Sequence, residues 1–265
     1  MPAPRRLTVP EFTALKQKGH KITFLTAYDY PTARLLDQVG IEGILVGDSL
    51  AMVVQGRENT LPVTLDQMIY HAEMVGRAVE QALVVVDLPF PSHHLGTYRA
   101  IEAAGRILKE SRVQAVKLEG GVEQAATIKA LVAAGIPVMA HCGLGPQSVH
   151  QLGGYKVQRD RERLLADATA ATEAGAFAMV LECVPSGLAK EITESIDIPT
   201  IGIGAGPHCD GQVLVIHDLL GLTTGYVPKF VKPYADMKAV VQDAVKNFRD
   251  EVRDGTFPDA AHGYQ

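Results

Sequence analysis

The sequence predicts an α/β fold, a single (β/α)8 TIM barrel over 1–265 with an extra N-terminal helix and a long C-terminal helix. Three observations predict it. Short, β-branched, almost wholly apolar runs alternate with longer segments of helical periodicity, as parallel strands covered on both faces by crossover helices do. Several helical segments end in glycine just before the next run, at Gly40, Gly135 and Gly175, where a left-handed residue closes a helix. The length of 265 residues matches the ~250 that one such barrel fills. An open doubly wound sheet is the alternative. It normally carries a glycine-rich turn after its first strand, and Thr26-Ala27-Tyr28-Asp29-Tyr30-Pro31 has no glycine.

In chain order, Thr8–Gly19 reads as a helix placed to plug the bottom of the barrel. The first strand is Ile22–Ala27, followed by the helix Pro31–Val39 and the strand Gly43–Gly47. Leu65–Glu80 is a helix opened by Thr64, with Gln67 three residues on completing a capping box. Strands Leu83–Asp87, Ala115–Leu118 and Val138–His141 then alternate with helices Tyr98–Lys109, Val122–Ala134 and Arg161–Ala174. Ala178–Glu182, the helix Gly187–Glu194 and Thr200–Gly204 continue the rhythm. Gly211–His217 supplies an eighth strand on its β-branched content, with a short helix as the other reading. Tyr234–Asp254 is a long amphipathic helix carrying Met237, Val240, Val241, Val245 and Phe248 near helical spacing. No linker or low-complexity tract interrupts the chain, so one domain is expected.

Composition excludes several function classes. With 25 basic and 30 acidic side chains the net charge is −5, and no basic cluster is present to track a nucleic-acid backbone. No apolar run approaches the ~20 residues of a membrane-spanning helix. Cys142, Cys183 and Cys209 lie far apart, which fits neither a zinc site nor a disulfide framework. The N-terminus lacks the apolar stretch of a secretory signal. A reduced, cytoplasmic chain with inert thiols is the expectation.

In a barrel, chemistry sits where strands end. Asp48 and Ser49 end the second apolar run, Asp87 the third, Lys117 and Glu119 the fourth, His141 the fifth and Glu182 the sixth. Singly, each has a bland reading as a helix cap or a hydrogen-bonded core residue. Together they are harder to dismiss, because burying so many ionisable groups is costly unless they are paired or used. Asp48, Asp87 and Glu119 form an oxygen donor set suited to Mg2+, which takes one or two protein carboxylates and completes its shell with water and substrate. Zinc would want more nitrogen or sulfur than His141 and Cys142 offer. His93 and His94, adjacent in a loop, read as solvated histidines. Glu182 follows an apolar run that favours a raised pKa, so it is the candidate general base; pairing with Lys117 or His141 as structural glue is the other reading. Lys117 can act as a cation towards an anionic substrate or as a Schiff-base amine, and the surrounding carboxylates favour the cation. The glycines of Ile201–Gly206 allow either a phosphate cradle or a tight turn; with no Ser, Thr, Lys or Arg directly following, the turn is preferred. A divalent metal, a carboxylate base and a lysine cation suit enolisation of a 2-oxo acid.

The segments carrying these residues resemble the ketopantoate hydroxymethyltransferase family. The matching pieces are Val46-Gly47-Asp48-Ser49-Leu50, Val86-Asp87-Leu88-Pro89-Phe90 and Val116-Lys117-Leu118-Glu119-Gly120-Gly121. They continue with Met139-Ala140-His141-Cys142-Gly143-Leu144-Gly145-Pro146-Gln147, Leu181-Glu182-Cys183-Val184-Pro185, and Ile201–Gly206 followed by Asp210–Val215. The resemblance runs from Thr23 to Phe230, and Ala51 stands where the family has a glycine. It implies transfer of a hydroxymethyl group from 5,10-methylenetetrahydrofolate, the co-substrate, to 3-methyl-2-oxobutanoate, giving 2-dehydropantoate for pantothenate and coenzyme A synthesis. It further implies one Mg2+ per subunit at Asp48 and Asp87, with Glu119 in its coordination or water shell. Ser49 and Lys117 would hold the oxo acid's carboxylate, beside Asp48 and Asp87; His141 would line the site, and Glu182 would accept the proton. Family members are commonly homo-oligomers, often decamers. A metal-dependent lyase of oxo or hydroxy acids, a Schiff-base aldolase and a non-catalytic scaffold are the alternatives that residue types alone leave open.

Overall fold

The computed structural model describes residues 5–264. The strands are β1 (Ile22–Thr26), β2 (Gly43–Val46), β3 (Leu83–Asp87), β4 (Ala115–Glu119), β5 (Val138–Gly143), β6 (Ala178–Glu182), β7 (Thr200–Ile203) and β8 (Gly211–Leu214). All neighbours are parallel and the sheet closes, β8 pairing back onto β1 with Ile22 opposite Gly211. Closure rules out the open doubly wound sheet and bears out the barrel. The eighth run is a strand only as far as Leu214; His217 falls in the short helix Ile216–Leu219. Gly43 is demanded by packing between strands, since a Cβ there would lie 1.8 Å from the Phe24 ring.

Alternation along each strand decides what enters the barrel. Leu83, Val85, Ala115, Met139, Ala178, Val180 and Ile201 join one buried core cluster with Phe24, Leu45 and Val213. Two residues beyond Val85, Ala115, Met139 and Val180 stand Asp87, Lys117, His141 and Glu182. The parity that buries the apolar side chains therefore carries these polar ones inward at the strands' C-terminal ends. At the opposite end the helix Val9–Gln17 delivers Phe12 into the same cluster, edge-on to Phe24 and Phe177 with ring centroids 5.9 Å apart. Phe177 immediately precedes β6, so Phe12 stoppers the bottom of the barrel as expected. That helix opens with a capping box in which Thr8 Oγ1 accepts from the Glu11 N–H and the Glu11 carboxylate accepts from the Thr8 N–H.

The anticipated capping box at Thr64 and Gln67 is present, at 3.2 and 3.0 Å. Its helix, Leu65–Ala78, stops short of the expected Glu80. The buried Asp37 carboxylate accepts from the N–H groups of Glu80, Gln81 and Ala82 at 2.8, 3.0 and 2.9 Å, drawing that backbone out of the helix and into the approach to β3. The expected helix Val122–Ala134 is a 3-10 turn, Val122–Gln124, leading into the α-helix Ala125–Ala133.

The chain divides into two compact units with the boundary between Val215 and Ile216. The first contains the barrel. In the second, the helix Met237–Asp254 is capped by Asp236, whose side chain accepts from the Ala239 N–H at 3.2 Å, and is closed by Gly255 at φ 73°. Its Val240, Val241, Val245, Phe248 and Val252 are exposed. No helix among the described residues is long and apolar enough to cross a membrane.

Candidate active site

The strand-end side chains singled out by the sequence meet at one mouth, and most of them form a continuous chain of contacts. The Asp48 N–H donates to Asp87 Oδ2 at 3.0 Å. Asp87 Oδ1 lies 2.9 Å from the Lys117 ammonium. Lys117 Nζ approaches His141 Nδ1 at 3.3 Å, and His141 Nε2 stands 3.4 Å from Glu182 Oε2. Asp48, Asp87, Lys117, Glu119 and His141 are all buried, while Glu182 keeps some contact with solvent. An ammonium only donates, so the Nδ1 lone pair must accept from it and the ring proton sits on Nε2, facing Glu182. Ser49 is half-buried at the same mouth, its hydroxyl 2.8 Å from the buried Tyr28 hydroxyl.

Charge in this pocket is unevenly supplied. Burial, then the neighbouring Asp87 carboxylate, pushes the Asp48 carboxyl up to about 7. Burial and Asp48 likewise hold Glu119 well above the usual carboxylate range. Burial also works against the Lys117 charge, yet Asp87, Asp48 and Glu119 outweigh it and leave the ammonium above the ordinary lysine value. A lysine so held is a cation rather than a nucleophilic amine, which removes the basis for a Schiff-base aldolase. Two adjacent buried carboxylates whose repulsion disfavours ionisation make a place where a divalent cation would be welcome, and their hard oxygens suit Mg2+. Among the described residues no group of three His, Cys, Asp or Glu side chains is arranged to hold a metal ion. Mg2+ asks for no more than one or two protein carboxylates, so the donor set fits.

The structure adds residues that the sequence did not advertise. Gln147 is buried between the acids: its Nε2 donates to Asp48 Oδ2 at 2.9 Å, and its backbone N–H to Glu119 Oε2 at 3.1 Å. Tyr155 donates to Met52 Sδ at 3.6 Å, and burial together with the fields of Asp48, Glu182 and Glu119 raises its phenol pKa. The expectation for His93 is corrected. It is 1% exposed rather than solvated, with its ring 4.0 Å from that of His94, because the loop after β3 folds it in under β4. His94 is exposed, as expected. Ala51 lies fully buried within the short helix Leu50–Val53, in right-handed backbone that needs no glycine. The Cys142 and Cys183 thiols are both raised by burial, Cys183 to about 11, in keeping with inert cysteines.

A family model described as ketopantoate hydroxymethyltransferase matches residues 6–260. The chain belongs to this family. The ketopantoate hydroxymethyltransferase relatives include a 3-methyl-2-oxobutanoate hydroxymethyltransferase of Rhodopirellula baltica, 55% identical over 260 residues, covering 98% of this chain and 97% of the relative. Another from Trichlorobacter lovleyi is 56% identical over 263 residues, covering 98% and 99%. Among solved structures, a phosphonopyruvate hydrolase complex with oxalate and Mg++ superimposes with a TM-score of 0.63 at 14% identity, covering 97% of this chain and 93% of that one. A 2,3-dimethylmalate lyase of the PEP mutase/isocitrate lyase superfamily gives 0.62 at 20%, covering 94% and 89%. These two share the barrel fold with this chain.

Proposed function

We propose that this chain transfers a hydroxymethyl group from 5,10-methylenetetrahydrofolate to 3-methyl-2-oxobutanoate, giving 2-dehydropantoate for pantothenate and coenzyme A synthesis. Relatives more than half identical over nearly their whole length are named 3-methyl-2-oxobutanoate hydroxymethyltransferase, which supports the acceptor and the group transferred. The observation that carries the reading is the contact chain Asp48–Asp87–Lys117–His141–Glu182. That chain runs from the two aspartates through the buried Lys117 and His141 to Glu182, which supports reading an acid pair, a cation and a base within one site.

Mg2+, one per subunit, held by Asp48 and Asp87 with Glu119 beside it in its water shell, would polarise the oxo acid's carbonyl and acidify the adjacent C–H. Lys117 and the Ser49 hydroxyl, itself braced by Tyr28, bind the substrate carboxylate and fix which carbon faces Glu182. Glu182 accepts the C3 proton. Its Oε2 is the oxygen nearest the His141 ring N–H, which leaves Oε1 to reach the substrate. His141 lines the pocket, its Nε2 3.4 Å from Glu182 Oε2. Lys117 also neutralises negative charge that develops on the deprotonated acid. The resulting nucleophile forms a C–C bond to the one-carbon unit, water supplies the hydroxyl as the bonds from that carbon to the folate nitrogens break, and tetrahydrofolate leaves with its nitrogens reprotonated. The exposed apolar stripe of Val240, Val241, Val245, Phe248 and Val252 supports a homo-oligomer, for which the family precedent is a decamer; the setting is the cytoplasm, without nucleic-acid or membrane partners.

Turnover of 3-methyl-2-oxobutanoate with methylenetetrahydrofolate, with and without EDTA, on wild type and Glu182→Gln, tests this. Expected are loss of activity with EDTA and a drop of about 10²–10⁴-fold in the variant. Full activity in the variant, or folate-independent cleavage of a product-like acid, overturns the mechanism.

A further inference from the structure

Gln147 occupies the 3-10 turn Pro146–Ser148 after β5, and nothing in its residue type marks it for chemistry. Its surroundings do. The side-chain amide nitrogen donates to Asp48 Oδ2 at 2.9 Å and to the Leu88 carbonyl at 3.0 Å. The Leu88 carbonyl is a pure acceptor, as is Asp48 when ionised, so the amide has one workable orientation: turned over, it would set a carbonyl against a carboxylate and another carbonyl. The backbone N–H of the same residue holds Glu119 Oε2 at 3.1 Å. Gly145, two residues earlier, lets the turn come this close, since a Cβ there would lie 2.6 Å from that oxygen.

One residue from β5 thus ties together the ends of β2, β3 and β4. It also chooses which oxygens are free. Asp48 Oδ2 and Glu119 Oε2 are both held by Gln147, which leaves Asp48 Oδ1 and Glu119 Oε1 as the oxygens Gln147 does not engage. The Gln147 carbonyl oxygen Oε1 is itself buried with no hydrogen-bond partner among the described residues. A buried amide left half-unpaired is a poor structural filler, because an apolar side chain of the same shape would serve packing without that cost. It is retained for what its donor end does.

We propose that Gln147 is a positioning residue that locks the Asp48 carboxylate in rotation and, with its main chain, holds Glu119 alongside. Its consequence for Mg2+ rests on the function proposed above; its effect on the orientation of Asp48 does not. Gln147→Met keeps the length and approximate volume and removes the amide, whose donor end is the half with partners. In crystals grown without metal, the Asp48 carboxylate of this variant is expected to rotate away from the orientation in which Oδ2 faces residue 147. An Asp48 superimposable on wild type overturns the proposal. By calorimetry on the folded variant, the Mg2+ dissociation constant is expected to rise about 10- to 100-fold, as when an outer partner of a metal ligand is lost. A constant within twofold of wild type also overturns it. Absence of Mg2+ binding in wild type would instead defeat the metal reading and leave the crystal structure to judge Gln147. Should Gln147→Met fail to fold, the nearly isosteric Gln147→Glu sets an acceptor against Asp48 Oδ2. Crystals of it at pH 8 are expected to show Asp48 turned away, and an unmoved Asp48 overturns the proposal there too.

Discussion

His93 offers a sharp test of the electrostatics around this site. Burial takes its imidazole from the usual 6.5 down to about 3, with His94 and Lys117 adding to the fall and the Glu119 carbonyl opposing it. The folded state therefore refuses a proton that the unfolded state accepts. For a depressed pKa of this kind, the stability contribution is complete above 6.5 and is lost as the pH falls towards 3. At pH 5 the unfolded-state histidine is 1.5 units below its pKa while the folded one is still neutral, which amounts to about 2 kcal/mol lost relative to pH 8. His93→Leu removes the titration. His93→Leu gives up at most the one hydrogen bond to the Glu119 carbonyl, so an apolar side chain of similar size should change stability at pH 8 by only about 1 kcal/mol. The assay has two arms. Carbon-13 NMR of labelled histidine follows the His93 ring directly, and it should remain neutral at pH 5. Denaturant unfolding of wild type and His93→Leu at pH 8 and pH 5 then gives a double difference in which all other titrating groups cancel. The gap should open by about 2 kcal/mol in favour of the variant at pH 5. Parallel stability curves, or a His93 resonance that titrates near pH 6, would refute the argument.

Three further outcomes are expected. Lys117→Met leaves Asp87 buried without its cation and should destabilise the protein by about 3–5 kcal/mol; adding Asp87→Asn to it should recover much of that loss in denaturant unfolding. Mg2+ should raise thermal stability, by about 2.7 kcal/mol at a hundredfold excess over its dissociation constant. The gain should be larger at pH 8 than at pH 5, because Asp48, with its carboxyl pushed up to about 7, must first lose a proton; calorimetry at the two pH values checks this. Gly43→Ala should severely reduce folded yield, since its methyl group would fall 1.8 Å from the Phe24 ring with the closed sheet leaving the ring nowhere to go; circular dichroism of the purified variant is the measure.

The barrel was legible because its cause is local. Runs such as Leu83–Asp87 are apolar on both faces, and only a strand covered on both sides makes use of that. Strand parity then does a second job. Once Val85, Met139 and Val180 are committed to the core, Asp87, His141 and Glu182 have no choice but to enter the mouth, so reading strand ends picked out the ionisable side chains that the barrel gathers there. What escaped notice depends on distant pieces of chain. The end of the Leu65–Ala78 helix is set by Asp37, some forty residues upstream in another helix. His93 looked solvated because adjacent histidines in a loop carry no periodicity, and only the folding of that loop beneath β4 decides its burial.

Gln147 is the most instructive of these. It is a neutral side chain in a turn, outside every strand, and its importance arises from three partners at Asp48, Leu88 and Glu119 that become neighbours only when the barrel closes. Residues that react must have particular chemistry, so their type gives them away. Residues that hold them need only a donor at the right place, which many side chains and any main-chain N–H can supply. A sequence read for chemistry therefore finds the ionisable candidates first, and misses a neutral residue such as Gln147 whose contacts hold two of them in place.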